Sequence, residues 1–175
     1  NRGSELKNKI VGIIGYGNTG KSFAKKLSGF GVKIFFYDLI KNKGDKYAIE
    51  TSLKKIQQNC DIISIHTSLT KTSVGLINKS FISCCKKSFW LINTSRGQCV
   101  VTKDIINAIE QGKILGAALD VIDLEKKSFN ELTHKLKSEP KLLDYINSKK
   151  IILTPHVAGW THESKINLSK IILQK

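Results

Sequence analysis

At 175 residues and 19.5 kDa, with 41% hydrophobic and 25% charged residues, the chain has the material for one globular domain with a real core, which excludes a disordered tail or a low-complexity linker. No apolar run approaches the ~20 residues needed to cross a bilayer, and with the polar start Asn1-Arg-Gly-Ser-Glu-Leu-Lys7 no secretory signal is expected. The net charge of +15 invites a nucleic-acid reading, but 27 of the 29 basic residues are Lys, scattered along the chain, with Arg2 and Arg96 the only arginines. A solvated Lys-rich surface is therefore favoured and no specific nucleic-acid partner is expected.

In chain order, Lys9–Gly15 is a β-rich apolar run, and Asn18–Phe30 carries Phe23, Ala24, Leu27 and Phe30 at helical spacing until Gly31 stops it. Val32–Tyr37 is the second strand, Ser52–Gln58 a short helix, Asp61–His66 the third strand, Lys79–Cys85 a short helix and Phe89–Asn93 the fourth strand. Thr102 is expected to cap a helix running to Gln111, ended by Gly112, before a fifth strand at Leu115–Val121. Ser128–Asn147 is polar and helical in character, broken at Pro140; Lys150–Thr154 is the sixth strand, stopped by Pro155, and a last helix starts near Thr161–Glu163. Strands apolar nearly throughout imply a parallel sheet buried on both faces, that is, a doubly wound α/β domain in three layers of the dinucleotide-binding (Rossmann) kind. The absence of Met in the whole chain, its first residue included, reads as a piece of a longer polypeptide.

On such a sheet, ligands sit at the carboxyl ends of the strands, and the unusual residues of this chain fall there. Gly15-Tyr-Gly-Asn-Thr-Gly20 follows a strand and opens a helix. Gly15 would permit the tight turn, Gly17 the approach of a pyrophosphate, and Gly20 the packing of helix on sheet, with the helix N–H groups facing the phosphates. Asp38, at the end of the second strand, is placed to bind the adenosine ribose and to repel a 2′-phosphate. Leu39 and Ile40 follow it, with no Arg to favour NADP, so the cofactor expected is NAD. Arg96, Glu125 and His156 each follow a separate strand and should face one crevice: His as acid/base, carboxylate as its partner, Arg as a fork for a substrate carboxylate. Cys60, Cys84, Cys85 and Cys99 have no zinc spacing; they read as four buried thiols in a reducing, cytoplasmic compartment, and no metal site is expected.

Leu91-Ile-Asn-Thr-Ser-Arg-Gly97, Gly116-Ala-Ala-Leu-Asp-Val121 with Glu125, Thr154-Pro-His-Val-Ala-Gly159, and Ser64-Ile-His-Thr-Ser-Leu-Thr70 with Gly75-Leu-Ile-Asn78 together resemble the D-isomer-specific 2-hydroxyacid dehydrogenases, from about Glu5 to Leu168. Trp160-Thr161 and the long stretch before the His motif look most like the phosphoglycerate dehydrogenase branch. The resemblance implies hydride transfer between NAD and a D-2-hydroxy acid or its 2-oxo acid, 3-phosphoglycerate being one candidate. By position it makes Arg96 the substrate-binding arginine, Glu125 the partner of the catalytic His, His156 the acid/base, and Asp120 the acid facing the nicotinamide end. Asn18 and Thr19 match backbone contacts to the pyrophosphate; Thr67, Thr94, Ser95, Arg96, His156 and Gly159 match further cofactor contacts. It also implies a homodimer, and a substrate domain built from both chain ends, so that residues 1–175 are the NAD-binding domain alone. Ser68 and Lys126 stand where the family often has Pro, and the connection after Glu125 is longer than usual. A non-catalytic NAD-sensing or corepressor-like module on the same fold stays open as the alternative; the intact Arg/Glu/His set argues against it.

Overall fold

A computed structural model describes residues 3–123, 140–147 and 149–173. Seven strands form one sheet: β1 (Ile10–Ile14), β2 (Lys33–Tyr37), β3 (Ile49–Glu50), β4 (Ile62–Ile65), β5 (Phe89–Asn93), β6 (Ile114–Leu119) and β7 (Ile151–Leu153). Their order is β3-β2-β1-β4-β5-β6-β7 and every pair is parallel. The chain runs outward from β1 in one direction, returns, and runs outward from β4 in the other, so the order reverses between β1 and β4, where such sheets open a crevice. One strand more is present than the sequence suggests: β3 has two residues, too few for a periodicity to show.

Helices connect the strands: α1 (Asn18–Leu27), α2 (Leu53–Asn59), α3 (Lys79–Ser83), α4 (Thr102–Glu110), α5 (Pro140–Asn147) and α6 (His162–Leu173). The 3-10 turn Ser28–Phe30 closes on Gly31, which is left-handed at φ 66°. Alternation along β1 sorts side chains into two cores. Val11 and Ile13 pack with Tyr16, Ala24, Ile34 and Phe36 on the α1 side, while Ile14 joins Phe35, Ile56, Ile63, Ile65 and Leu91 beneath α2–α4. Thr102 is not the cap expected. Val101 is the N-cap and Thr102 the first helical residue; its N–H donates to Asp123 Oδ2 at 3.1 Å and its hydroxyl to Asp123 Oδ1. The cap thus comes from the segment after β6.

Burial on both faces holds for β1, β2 and β4 but not for β5–β7. On the α1 side, Trp90, Leu115 and Ile152 are 48%, 38% and 63% exposed, and with Gly3–Leu6 they line an open groove of about 470 Å³. Cys60, Cys85 and Cys99 are buried as expected, but Cys84 is exposed; all four are free thiols. Pro140, expected as a breaker, starts α5. The part of the expected helix before it lies outside the described residues.

Candidate functional site

Parallel pairing puts the ends of β2, β1, β4, β5, β6 and β7 on one edge, in that order. The pairs Tyr37↔Ile14, Ile14↔Ile65, Ile65↔Asn93, Asn93↔Leu119 and Leu119↔Leu153 are in register. Asp38, Gly15, His66, Thr94, Asp120 and Thr154 therefore form a row. Five strand intervals separate its ends, about 24 Å.

At the β1–β2 end, Gly15 has φ +92°, and a Cβ there would lie 2.6 Å from the carbonyl oxygen of His66. Only glycine turns the chain this sharply against β4. Gly17 is the N-cap of α1 and a Cβ on it would point into open space, while one on Gly20 would strike the Gly15 carbonyl. The first bond within the turn is from Lys21 N–H to Gly17 O at 2.9 Å, so the N–H groups of Asn18 and Thr19, both exposed, have no partner within the helix. Tyr16, the residue between the glycines, points inward. It is fully buried, stacks on Phe36 with centroids 3.9 Å apart, and donates its hydroxyl to Asp45 at 2.8 Å. Burial and the Asp45 carboxylate raise its pKa well above the ordinary tyrosine value.

Asp38 ties this loop to β2. Its Oδ2 accepts from Tyr16 N–H at 2.7 Å, and its Oδ1 from Ile40 N–H at 2.9 Å and Lys43 Nζ at 3.3 Å. Burial pushes its pKa up, but the Tyr16 and Ile40 amides and the Lys43 ammonium outweigh that and hold it below the usual carboxylate value. A pocket of about 550 Å³ opens beside it, lined by Gly15, Gly17, Asp38, His66, Thr67 and Ser73 among others. Thr67 Oγ1 lies 3.5 Å from Cys99 Sγ. Ser73 stitches the neighbouring loop, donating to Ser68 O and accepting from Thr70 N–H, both at 2.8 Å. An open glycine turn, a helix N-terminus, an ionised carboxylate at the end of β2 and a pocket of this size suit a dinucleotide.

At the β5–β7 end, Asn93 organises the turn that carries Arg96. The side chain is wholly buried; Oδ1 accepts from the N–H and hydroxyl of Ser95 at 3.1 and 2.9 Å, and Nδ2 donates to Arg96 O at 3.1 Å. Thr94 and Arg96 are exposed, and the Arg96 guanidinium folds back to donate to Ser95 O at 2.7 Å. Gly97 has no room for a side chain, because its Cβ would strike the carbonyl of Ile122. The Arg96 turn and the chain after β6 therefore touch backbone to backbone.

Asp120 shapes the turn that carries His156. Oδ1 accepts from Thr154 Oγ1 at 2.6 Å and Val157 N–H at 2.9 Å, Oδ2 from Ala158 N–H at 2.9 Å, and its carbonyl from His156 N–H at 3.0 Å. Burial raises its pKa, but these donors and the nearby His156 charge bring it below the usual value. His156 is exposed and left-handed, φ +54°. Gly159, also exposed, accepts from Ser164 Oγ at 2.6 Å at the start of α6. Glu125 lies outside the described residues. The structure thus groups Gly15–Gly20, Asp38 and Thr67 at one end of the row, and Thr94–Arg96, Asp120 and His156–Gly159 at the other. Tyr16, Asn93 and Asp123 lie within the strand-end segments that the sequence marks, but neither their roles nor that of Lys43 could be read there: each acts through a partner distant in sequence or a buried orientation that no local spacing reports. Among the described residues, no three His, Cys, Asp or Glu side chains cluster to hold a metal, and no helix is long and apolar enough to cross a membrane.

The family model for "D-isomer specific 2-hydroxyacid dehydrogenase, NAD binding domain" matches residues 1–158. A D-lactate dehydrogenase of Staphylococcus aureus (strain MRSA252) is 38% identical over 165 residues, 93% of this chain and 50% of that protein. The D-3-phosphoglycerate dehydrogenase of Bacillus subtilis (strain 168) is 32% identical over 170 residues, 95% of this chain and 30% of that protein. The comparisons thus reach the expected phosphoglycerate branch without singling it out. The crystal structure of a D-isomer specific 2-hydroxyacid dehydrogenase from Lactobacillus delbrueckii ssp. bulgaricus, in its NAD complexed form, superposes with a TM-score of 0.81 at 30% identity, covering 98% of this chain and 53% of that one. The chain spans about half the length or less of the curated relatives it matches.

Proposed function

Because the chain belongs to the NAD-binding domains of the D-isomer specific 2-hydroxyacid dehydrogenases, we propose that it is the cofactor-binding half of an oxidoreductase that interconverts a small D-2-hydroxy acid and its 2-oxo acid. The observation that carries this reading is the single row of strand ends, with the dinucleotide cradle at β1–β2 and His156, braced by Asp120, at β7. Bound NAD supplies the hydride acceptor, or in its reduced form the donor. The chain's own residues bind, orient and move the proton. The Gly15–Gly20 turn and the first N–H groups of α1 face the pyrophosphate, and Asp38 accepts from the adenosine ribose. Thr67, Thr94, Ser95 and Gly159 border the cofactor, and Asp120 faces its nicotinamide end. Arg96, unfolded from Ser95 O, grips the substrate carboxylate with two parallel bonds. His156 Nε2 or Nδ1 takes the hydroxyl proton in oxidation and returns it in reduction, and Glu125, assigned by its place in the sequence, stabilises the imidazolium. A second domain would close the cleft over the substrate, and the assembly proposed is a homodimer.

The test is His156→Asn in a polypeptide carrying this chain together with a substrate domain. Asn tolerates the left-handed backbone at this position, so the turn is kept and only the proton carrier is lost. Turnover should fall about 100-fold or more with little loss of NAD binding by calorimetry. Turnover by the variant at the parent rate would remove His156 from its role, and no turnover by the parent polypeptide would favour the non-catalytic module.

A further inference from the structure

No cation directly follows Asp38 in the sequence, where Leu39 and Ile40 stand. The loop brings one back. Asn42 is left-handed at φ +60° and its N–H donates to Glu50 Oε2 at 3.0 Å; Asp45 accepts from the Tyr16 hydroxyl at 2.8 Å and from Tyr47 N–H at 2.9 Å. The loop is thus anchored on both sides of Lys43, whose Nζ stands 3.3 Å from Asp38 Oδ1 with 26% of its side chain exposed. Among the described residues, Lys43 is the one Lys or Arg lining the 550 Å³ pocket.

A carboxylate oxygen offers two lone pairs. On Asp38, Oδ1 already serves Ile40 N–H and Lys43, while Oδ2 serves Tyr16 N–H and keeps one pair for a ribose hydroxyl. Lys43 therefore competes with the second hydroxyl of an unphosphorylated ribose. It also cancels the negative charge by which a strand-end acid repels a 2′-phosphate, and presents an ammonium to that phosphate.

We propose that Lys43 is a cofactor-selectivity residue, and that its ammonium on Asp38 narrows the preference of this site for NAD over a 2′-phosphorylated dinucleotide, NADP. The inference rests on the dinucleotide site described above. Calorimetric titration of the chain and of Lys43→Gln with NAD, NADP, ADP and 2′,5′-ADP tests it; the two short nucleotides need only the adenosine end. Loss of one charge-assisted contact should weaken NADP and 2′,5′-ADP about tenfold and leave NAD and ADP as tight or tighter. Lys43→Arg should keep the parent preference. In the parent, added salt should weaken 2′,5′-ADP more than ADP, a difference that disappears in Lys43→Gln. Equal weakening of phosphorylated and unphosphorylated ligands would make Lys43 a mere brace for Asp38 and overturn the proposal, as would an unchanged ratio. Binding of none of the four by the parent chain would overturn the dinucleotide site itself and the selectivity with it.

Discussion

His66 shows how a single side chain can tie the site to solution conditions. It follows β4 against the Gly15 turn, tilts against Phe23 with ring centroids 5.0 Å apart, and shares a hydrogen bond of 2.9 Å between Nε2 and the buried Ser64 hydroxyl. Burial pushes its pKa down to about 4 from 6.5. The folded state thus holds His66 neutral where the unfolded chain would protonate it. Its contribution is fully present above pH 6.5 and is lost as pH falls toward 4, up to about 3 kcal/mol. Urea unfolding at stepped pH should show this loss, and His66→Gln should flatten the curve between pH 6.5 and 4. A slope identical in both proteins would place the acid sensitivity elsewhere. Single residues were unevenly legible in the sequence. Gly15 was, because a left-handed turn leaves glycine as a signature. The role of Asn93 was not: its place at a strand end is plain, but an amide that satisfies one turn from a buried strand end looks, in a sequence, like any strand-terminal Asn.

Among the elements, α4 depends on a carboxylate it does not own. Asp123 accepts from both the N–H and the hydroxyl of Thr102, across 21 residues. Asp123→Ala should cost about 1–2 kcal/mol and lower Tm by roughly 3–6 °C for a chain of this size, with amide exchange rising first in the opening turn of α4. Asp123→Asn, which keeps an acceptor, should recover most of the loss. Six strands and the helices between them were legible because each pairs an apolar run with a Gly, Pro or polar stop. The edge strand β3 was not, since two residues carry no alternation, and the Thr102 cap was misread because a Thr at a helix start reads as N-cap whether or not a distant acid has taken its hydroxyl. Ser52 and Asn78 are caps of the ordinary local kind, accepting from Lys55 N–H at 3.2 Å and Phe81 N–H at 2.9 Å.

On the scale of the whole sheet, the described residues form one edge that carries the site and one face with exposed apolar side chains. On the α1 side of β5–β7, Trp90, Leu115 and Ile152 stand exposed on neighbouring strands, a contiguous apolar area of the kind that proteins cover. The proposed homodimer is tested independently of this face. Sedimentation equilibrium should give twice the 19.5 kDa of one chain, and a single-chain mass across the concentration range would withdraw it. The edge has a different consequence. Asp38 and Lys43 lie at β2, Arg96 at β5 and His156 beyond β7, with about 14 Å or more between the first pair and the others. Free-energy changes at side chains that far apart, which touch the shared cofactor only at its opposite ends, add to a first approximation. Adenosine preference and proton transfer are thus separable properties of one sheet. A library that varies residues 38–43 can be searched apart from one that varies residues 94–97 or 154–159, and the best members of each joined without a further round of selection.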